Sequence, residues 1–100
     1  VFVRAKMLIN EPKFIKCIKD KEIYKEQPFK VKNELKQMDL FCFNEREICV
    51  IDYKTTDKNI EENKKQVKEY KDALAKFYEK HSIIAIIFYA LEDKISYIEV

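Results

Sequence analysis

The chain has 100 residues, 47% of them hydrophobic and 13% aromatic, enough for one folded domain with a real core and too apolar for a disordered segment. Twenty basic residues against 18 acidic ones leave a formal net charge of +2, so no global positive field demands nucleic acid, and any such contact rests on a local patch. No run approaches the roughly 18 apolar residues of a membrane span and no signal peptide is apparent, so the expectation is a cytoplasmic protein without a membrane partner.

In chain order, Val1 to Ile9 is short and mixed. Asn10-Glu11-Pro12 reads as a helix start, with Asn10 as cap and proline in the first turn, leading into a brief helix through Phe14 and Ile15 to about Ile18. Glu22 to Val31 reads as a strand that Pro28 marks as an edge strand or a bulged one. Leu35 to Phe43 and Glu47 to Lys54 read as two further strands around a polar turn at Asn44, Glu45 and Arg46. Asp57 then caps a helix to about Lys80, with Ile60, Val67, Leu74 and Phe77 at helical spacing and Lys64, Lys68 and Lys71 on a basic outer face. Ile83 to Ala90 is a continuous apolar run, as in a buried strand, and Lys94 to Val100 alternates as a last one. The resulting order, α-β-β-β-α-β-β, predicts an α/β domain with a small mixed sheet flanked by helices. Phe41, Phe43, Phe77 and Phe88 are its expected core aromatics, and His81 is expected at the surface. Cys17, Cys42 and Cys49 cannot all pair and lack the CxxC spacing of zinc or iron–sulfur sites, so they read as reduced, buried thiols. The start at Val1 suggests a piece of a longer protein.

The most informative stretch is Cys49-Val50-Ile51-Asp52-Tyr53-Lys54-Thr55, together with Asp39 in the apolar segment before it. A strand that is apolar on both faces is one covered on both sides, and ionic groups inside it are costly unless something neutralises them. An odd-length turn would put Asp39 and Asp52 on opposite faces, barring a bulge, but the absence of glycine makes a tight two-residue turn unfavourable and four residues the expected length, with pairing partners that sum to 91. Asp39 then stands across from Asp52, with Cβ atoms about 4.5–5.5 Å apart, where two like charges repel unless a cation lies between them. Lys54 points to the same face two residues on. These residues suggest a metal site; a structural ion pair of Asp52 with Lys54 is the alternative.

An acidic residue in one strand (Met38-Asp39-Leu40), Asp-x-Lys after an apolar run in the next (Val50-Ile51-Asp52-Tyr53-Lys54-Thr55) and a helix carrying Gln66-Val67-Lys68-Glu69-Tyr70 together resemble the PD-(D/E)xK nuclease superfamily. Within it they are most similar to RecB-like nuclease domains. Glu26-Gln27-Pro28-Phe29 and Ile86-Ile87-Phe88-Tyr89 also look like the C-terminal nuclease domain of AddA-type helicase–nuclease subunits. The likeness covers roughly residues 20 to 100. It implies a restriction-endonuclease-like core and a Mg²⁺-dependent deoxyribonuclease that hydrolyses phosphodiester bonds, an exonuclease or other nuclease of recombinational double-strand-break repair. It further implies DNA, a helicase region of the same chain and a second helicase–nuclease subunit as partners. Asp39, Asp52 and Lys54 are the implied catalytic residues; Asp39, Asp52 and the Tyr53 carbonyl would hold Mg²⁺ or Mn²⁺, with no iron–sulfur cluster in this stretch. Lys54 would position the attacking water or stabilise developing charge.

Gln66 and Tyr70, one helical turn apart, either face that site to contact DNA or orient Lys54, or belong to the core beside Val67 and Leu74. Glu26 either approaches the metal face or is a solvated edge carboxylate. Lys64 and Lys68 either meet phosphates or form a soluble surface. Two positions depart from the family pattern. Lys36 stands where a glycine is usual three positions before the first aspartate, and the upstream helix with the expected histidine ligand is missing, His81 being downstream, so the resemblance implies that this stretch in isolation binds metal weakly or is inactive. They support a rival reading, a catalytically degenerate nuclease fold used for DNA binding or subunit interaction. A stand-alone restriction-type or junction-cleaving nuclease is the third.

Overall fold

The computed structural model of the chain describes residues 9–31, 33–92 and 94–100. The expected helix start at Asn10 is displaced by one residue: Glu11 is the N-cap of α1 (Pro12–Ile18), its carboxylate accepting the Lys13 N–H at 2.8 Å. Pro12 takes the position after it, where a missing N–H costs nothing. The segment 1–8 lies outside the described residues.

Five strands form one sheet in the order β1-β2-β3-β4-β5. They are β1 (Glu22–Val31), β2 (Glu34–Phe43), β3 (Glu47–Lys54), β4 (Ser82–Ala90) and β5 (Ile95–Glu99), with α2 (Ile60–Phe77) between β3 and β4. Only β3 and β4 run parallel, because only they are joined by a helical crossover; the other neighbours are antiparallel. The β2–β3 pairs Leu40–Ile51, Phe41–Val50, Cys42–Cys49 and Phe43–Ile48 each sum to 91, the register the sequence suggests. No glycine is needed at the turn. The Asn44 Oδ1 accepts the N–H groups of Arg46 and Glu47, both at 2.8 Å, so an asparagine side chain supplies the turn that backbone geometry would otherwise require of glycine.

β1 is an outer strand, as Pro28 implies, and it is interrupted. Glu26 has a φ of 51° and drops out of the ladder opposite Asp39. There β2 also loses its alternation: Met38 and Phe41, three residues apart, line the same groove on the α2 side. The β2–β3 ladder stops at Leu40–Ile51, so β2 bulges and parts from β3 at Asp39.

Two apolar layers sandwich the central strands. On one face Val67, Tyr70 and Leu74 of α2 pack on Ile48, Val50, Ala85 and Ile87; on the other Phe14 and Cys17 of α1 pack on Cys42, Cys49, Ile51, Ile86 and Phe88. This is why β3 and β4 are apolar on both faces. α2 differs from expectation at both ends. Its N-cap is Asn59, without a side-chain cap bond, rather than Asp57, and the helix closes at Phe77, where the Tyr78 N–H still reaches Leu74 O at 2.9 Å. Phe77 does not join the core; it is 77% exposed, because it lies at the margin of the apolar stripe in the last turn, where the sheet no longer covers it. His81 is half-buried rather than fully at the surface, its Nε2 3.1 Å from the Asn44 carbonyl oxygen. No helix among the described residues is long and apolar enough to cross a membrane.

The two phenylalanines separate by substitution. Phe88→Ala, at a fully buried position against Phe14, is expected to cost about 3–5 kcal/mol. Phe77→Ala is expected to stay within about 0.5 kcal/mol of the parent in urea unfolding.

Candidate functional site

The crossover to α2 begins where β3 ends, and the last residues of β3 carry the ionic groups. Asp52 follows five residues of which four, Ile48 to Ile51, are almost wholly buried, and it is itself 5% exposed, the one buried charged residue among those described. Its strand partner is Ile87 of β4, so neither neighbour along that ladder offers a donor. The Lys54 Nζ is 3.2 Å from Asp52 Oδ2 but not aligned as a hydrogen bond, which leaves that oxygen buried with no hydrogen-bond partner. Lys54 has the more open end of the pair, its side chain 31% exposed against 8% for Asp52.

Asp39 reaches this place by the bulge. Instead of standing in a regular cross-strand pair with Asp52, it turns its carboxylate across the split, and Oδ2 accepts the Tyr53 N–H at 2.7 Å. The contact replaces the ladder bond lost where the strands part. It also sets Asp39 against Asp52: burial above all, with the Lys54 ammonium opposing and the negative charge of Asp39 assisting, leaves the Asp52 carboxyl raised to about 6. The expected trio of Asp39, Asp52 and Lys54 therefore meets at one point.

Tyr70 and Gln66 of α2 come to the same face. The Tyr70 ring is core, 2% exposed among Met38, Val67 and Leu74, which satisfies one of the two readings of this residue. Its hydroxyl is the polar end: burial raises its pKa, the charges of Asp52 and Asp39 raise it further, and a hydrogen bond with Gln66 opposes them. Beside Gln66 a polar groove of about 300 Å³ is lined by Lys36, Glu62, Asn63, Lys65 and Glu69. Lys36, in the position where glycine is usual in the resembled pattern, thus lines the groove beside Gln66, its ammonium 3.3 Å from Glu34.

The lysines of the outer face lie elsewhere. At about 100° per residue, positions 64, 68 and 71 fall on the other flank of α2 from 66 and 70. Lys71 donates to the Val100 carbonyl at 3.0 Å beyond β5, Lys64 sits 3.9 Å from Glu61, and Lys68 is exposed. Glu26 is exposed and lies at the register position across from Asp39 on β1. Two residues have no site role in the sequence reading, Asn63 and Tyr89, the second named there only within a family-like stretch. Tyr89, paired with Lys54 across the parallel ladder, is buried, and its hydroxyl accepts from Asn63 Nδ2 at 3.2 Å. The signal for Asn63 is its spacing, three residues before Gln66 on the same flank of the helix.

Among the described residues no group of three or more histidine, cysteine, aspartate or glutamate side chains comes together as a metal cage. The donors that do meet are two carboxylates and the Tyr53 carbonyl, which points to the same edge of β3 as the N–H bound by Asp39. A partly hydrated Mg²⁺ or Mn²⁺ needs no more protein ligands than this, and Asp52 Oδ2, which has the Lys54 ion pair but no hydrogen bond, is an oxygen that such an ion would satisfy in place of Lys54. No family model, no curated protein and no solved structure matches the chain.

The raised Asp52 pKa has a defined sign. The folded group titrates near 6 and the unfolded one near 3.8, so between these values the folded state binds more protons and loses stability as pH rises. Above about pH 6 the full penalty, on the order of 2–3 kcal/mol, is present. Asp52→Asn removes the charge and is expected to raise the unfolding free energy near neutral pH by that margin, with the gain gone at about pH 3.5, as followed by urea unfolding at both pH values.

Proposed function

We propose that this domain is a metal-dependent deoxyribonuclease module with a restriction-endonuclease-like core, of the kind borne by AddA-type helicase–nucleases. The observation that carries the reading is the convergence of Asp39, Asp52 and Lys54 where β2 parts from β3, with Tyr70 and Gln66 above them. The order and spacing of these residues in the sequence support it, and so does the two-sided cover of the strand that holds Asp52.

Asp39 and Asp52, with the Tyr53 carbonyl, would hold Mg²⁺ or Mn²⁺, which when bound supplies Lewis-acid polarisation of a phosphate and a more acidic water. The protein's own groups act around that point. Asp52 must give up its proton before it can serve as an anionic ligand. The Lys54 ammonium, freed from compensating Asp52, stands ready to orient the attacking water or to stabilise the charge that grows on the phosphate oxygens. Tyr70, held by Gln66, fixes the α2 side of the site and excludes water from the Asp52 side chain. DNA, a helicase region and a second subunit are the partners that belong to this reading. The rival, a degenerate fold kept for DNA binding or subunit contact, draws on the same site: no third carboxylate or histidine joins Asp39 and Asp52 among the described residues.

Calorimetric titration with Mn²⁺ distinguishes the two. Wild-type protein is expected to bind saturably, with affinity falling about tenfold per unit as pH drops below 6, and the Asp39→Asn/Asp52→Asn variant is expected not to bind. In a cleavage assay on end-labelled DNA, Lys54→Ala is expected to keep Mn²⁺ binding and lose about 10²-fold in rate. Metal binding unchanged by the double substitution, or cleavage unchanged by Asp52→Asn, would overturn the nuclease reading.

A further inference from the structure

The layer under α1 contains a second cluster of chemically active groups, remote from the Asp52 face. Cys42 and Cys49 are direct cross-strand partners on β2 and β3, and Cys17 of α1 packs on them together with Phe14, Ile51, Ile86 and Phe88. All three are free. The Cys17 and Cys49 thiols meet closely enough to share a hydrogen bond. We propose that Cys17 and Cys49 are a reactive thiol pair that a small-molecule disulfide converts to an intramolecular disulfide, fastening α1 to β3, with Cys42 left as a thiol.

The three sulfurs are not equivalent. Cys17 is the most open, 6% exposed against 1% for Cys49 and none for Cys42. It is also the one biased toward thiolate: the hydrogen bond from Cys49 lowers its pKa, burial opposes this, and the charges of Lys13 and Lys21 assist. Cys42 is pushed up to about 11 by burial, and Cys49 upward by its bond to Cys17 and by burial. Attack therefore starts at Cys17. Its helix is only seven residues long and buries only Phe14 and Cys17, so local opening of α1 exposes the sulfur without unfolding the sheet.

The chemistry balances with oxidised glutathione as the named oxidant. The Cys17 thiolate attacks one glutathione sulfur, a Cys17–glutathione bond forms, and the first glutathione thiolate leaves. That substitution removes the negative charge and the hydrogen bond that hold the Cys49 proton. Cys49 then attacks the Cys17 sulfur, its proton passing to solvent, and the second glutathione leaves. Two thiols are oxidised and one glutathione disulfide is reduced to two thiols.

The test incubates the folded full chain with oxidised glutathione, blocks free thiols with N-ethylmaleimide after denaturation, and maps peptides without reduction. The expected product carries a Cys17–Cys49 disulfide and a maleimide adduct on Cys42. Cys42→Ala is expected to form the same disulfide, and Cys49→Ala to stop at glutathione on Cys17. Three alkylated thiols, a Cys42–Cys49 disulfide, or a stable glutathione adduct on wild-type Cys17 would each overturn the proposal. Because the readout is on the wild-type chain, it does not depend on how well either variant folds.

Discussion

Desolvation of one carboxylate organises this domain. β3 is covered by α2 on one face and α1 on the other, and Asp52 comes at its end, before cover is lost. Its environment provides one imperfectly aligned ammonium and one like charge, so the local balance favours the proton over ionisation across a range where an exposed aspartate is fully charged. Such an arrangement opposes stability at neutral pH. In the proposed function that opposing term would be relieved by a bound cation, which is the use the reading gives it.

The break in β2 serves that carboxylate. Had β2 remained regular, Tyr53 would bond a backbone carbonyl and Asp39 would have no reason to enter the sheet. The bulge replaces a main-chain acceptor with a charged one, which brings a second carboxylate to Asp52. Glu26 on β1 adopts its left-handed conformation at the same level, so the irregularity runs through two strands. α2 then crosses the sheet with its two flanks differently occupied: Gln66 and Asn63 on the flank that lines the polar groove, Lys71 at the far edge against Val100.

Much of this was legible in the sequence, for reasons that differ by element. The β2–β3 register followed from hydrophobic pattern and the lack of glycine, because both depend only on neighbours along the chain. The bounds of β1 and β3 followed from the same kind of local signal. Phe77 did not, since helical spacing defines a stripe while the extent of the sheet beneath it decides where the stripe ends. The α1 cap was missed by one residue because Asn10 and Glu11 can both accept an N–H, and Pro12 settles which does. At the candidate site Lys54 shares the face of Asp52 by strand alternation, whereas Asp39 joins them through a bulge at the level of Glu26 of β1 instead of the regular cross-strand pair, and the Tyr89–Asn63 bond joins residues that no local pattern relates.

The interruption of β1 has a further effect at the margin of the sheet. A ten-residue outer strand with a continuous row of free donors and acceptors would be a template for another chain. Here Pro28 offers no N–H, Glu26 turns the backbone out of line, and the opposite margin is β5, only five residues long. Neither rim presents a long flat edge, so the irregularity that shapes the acid pair also protects the domain from self-association into extended sheets.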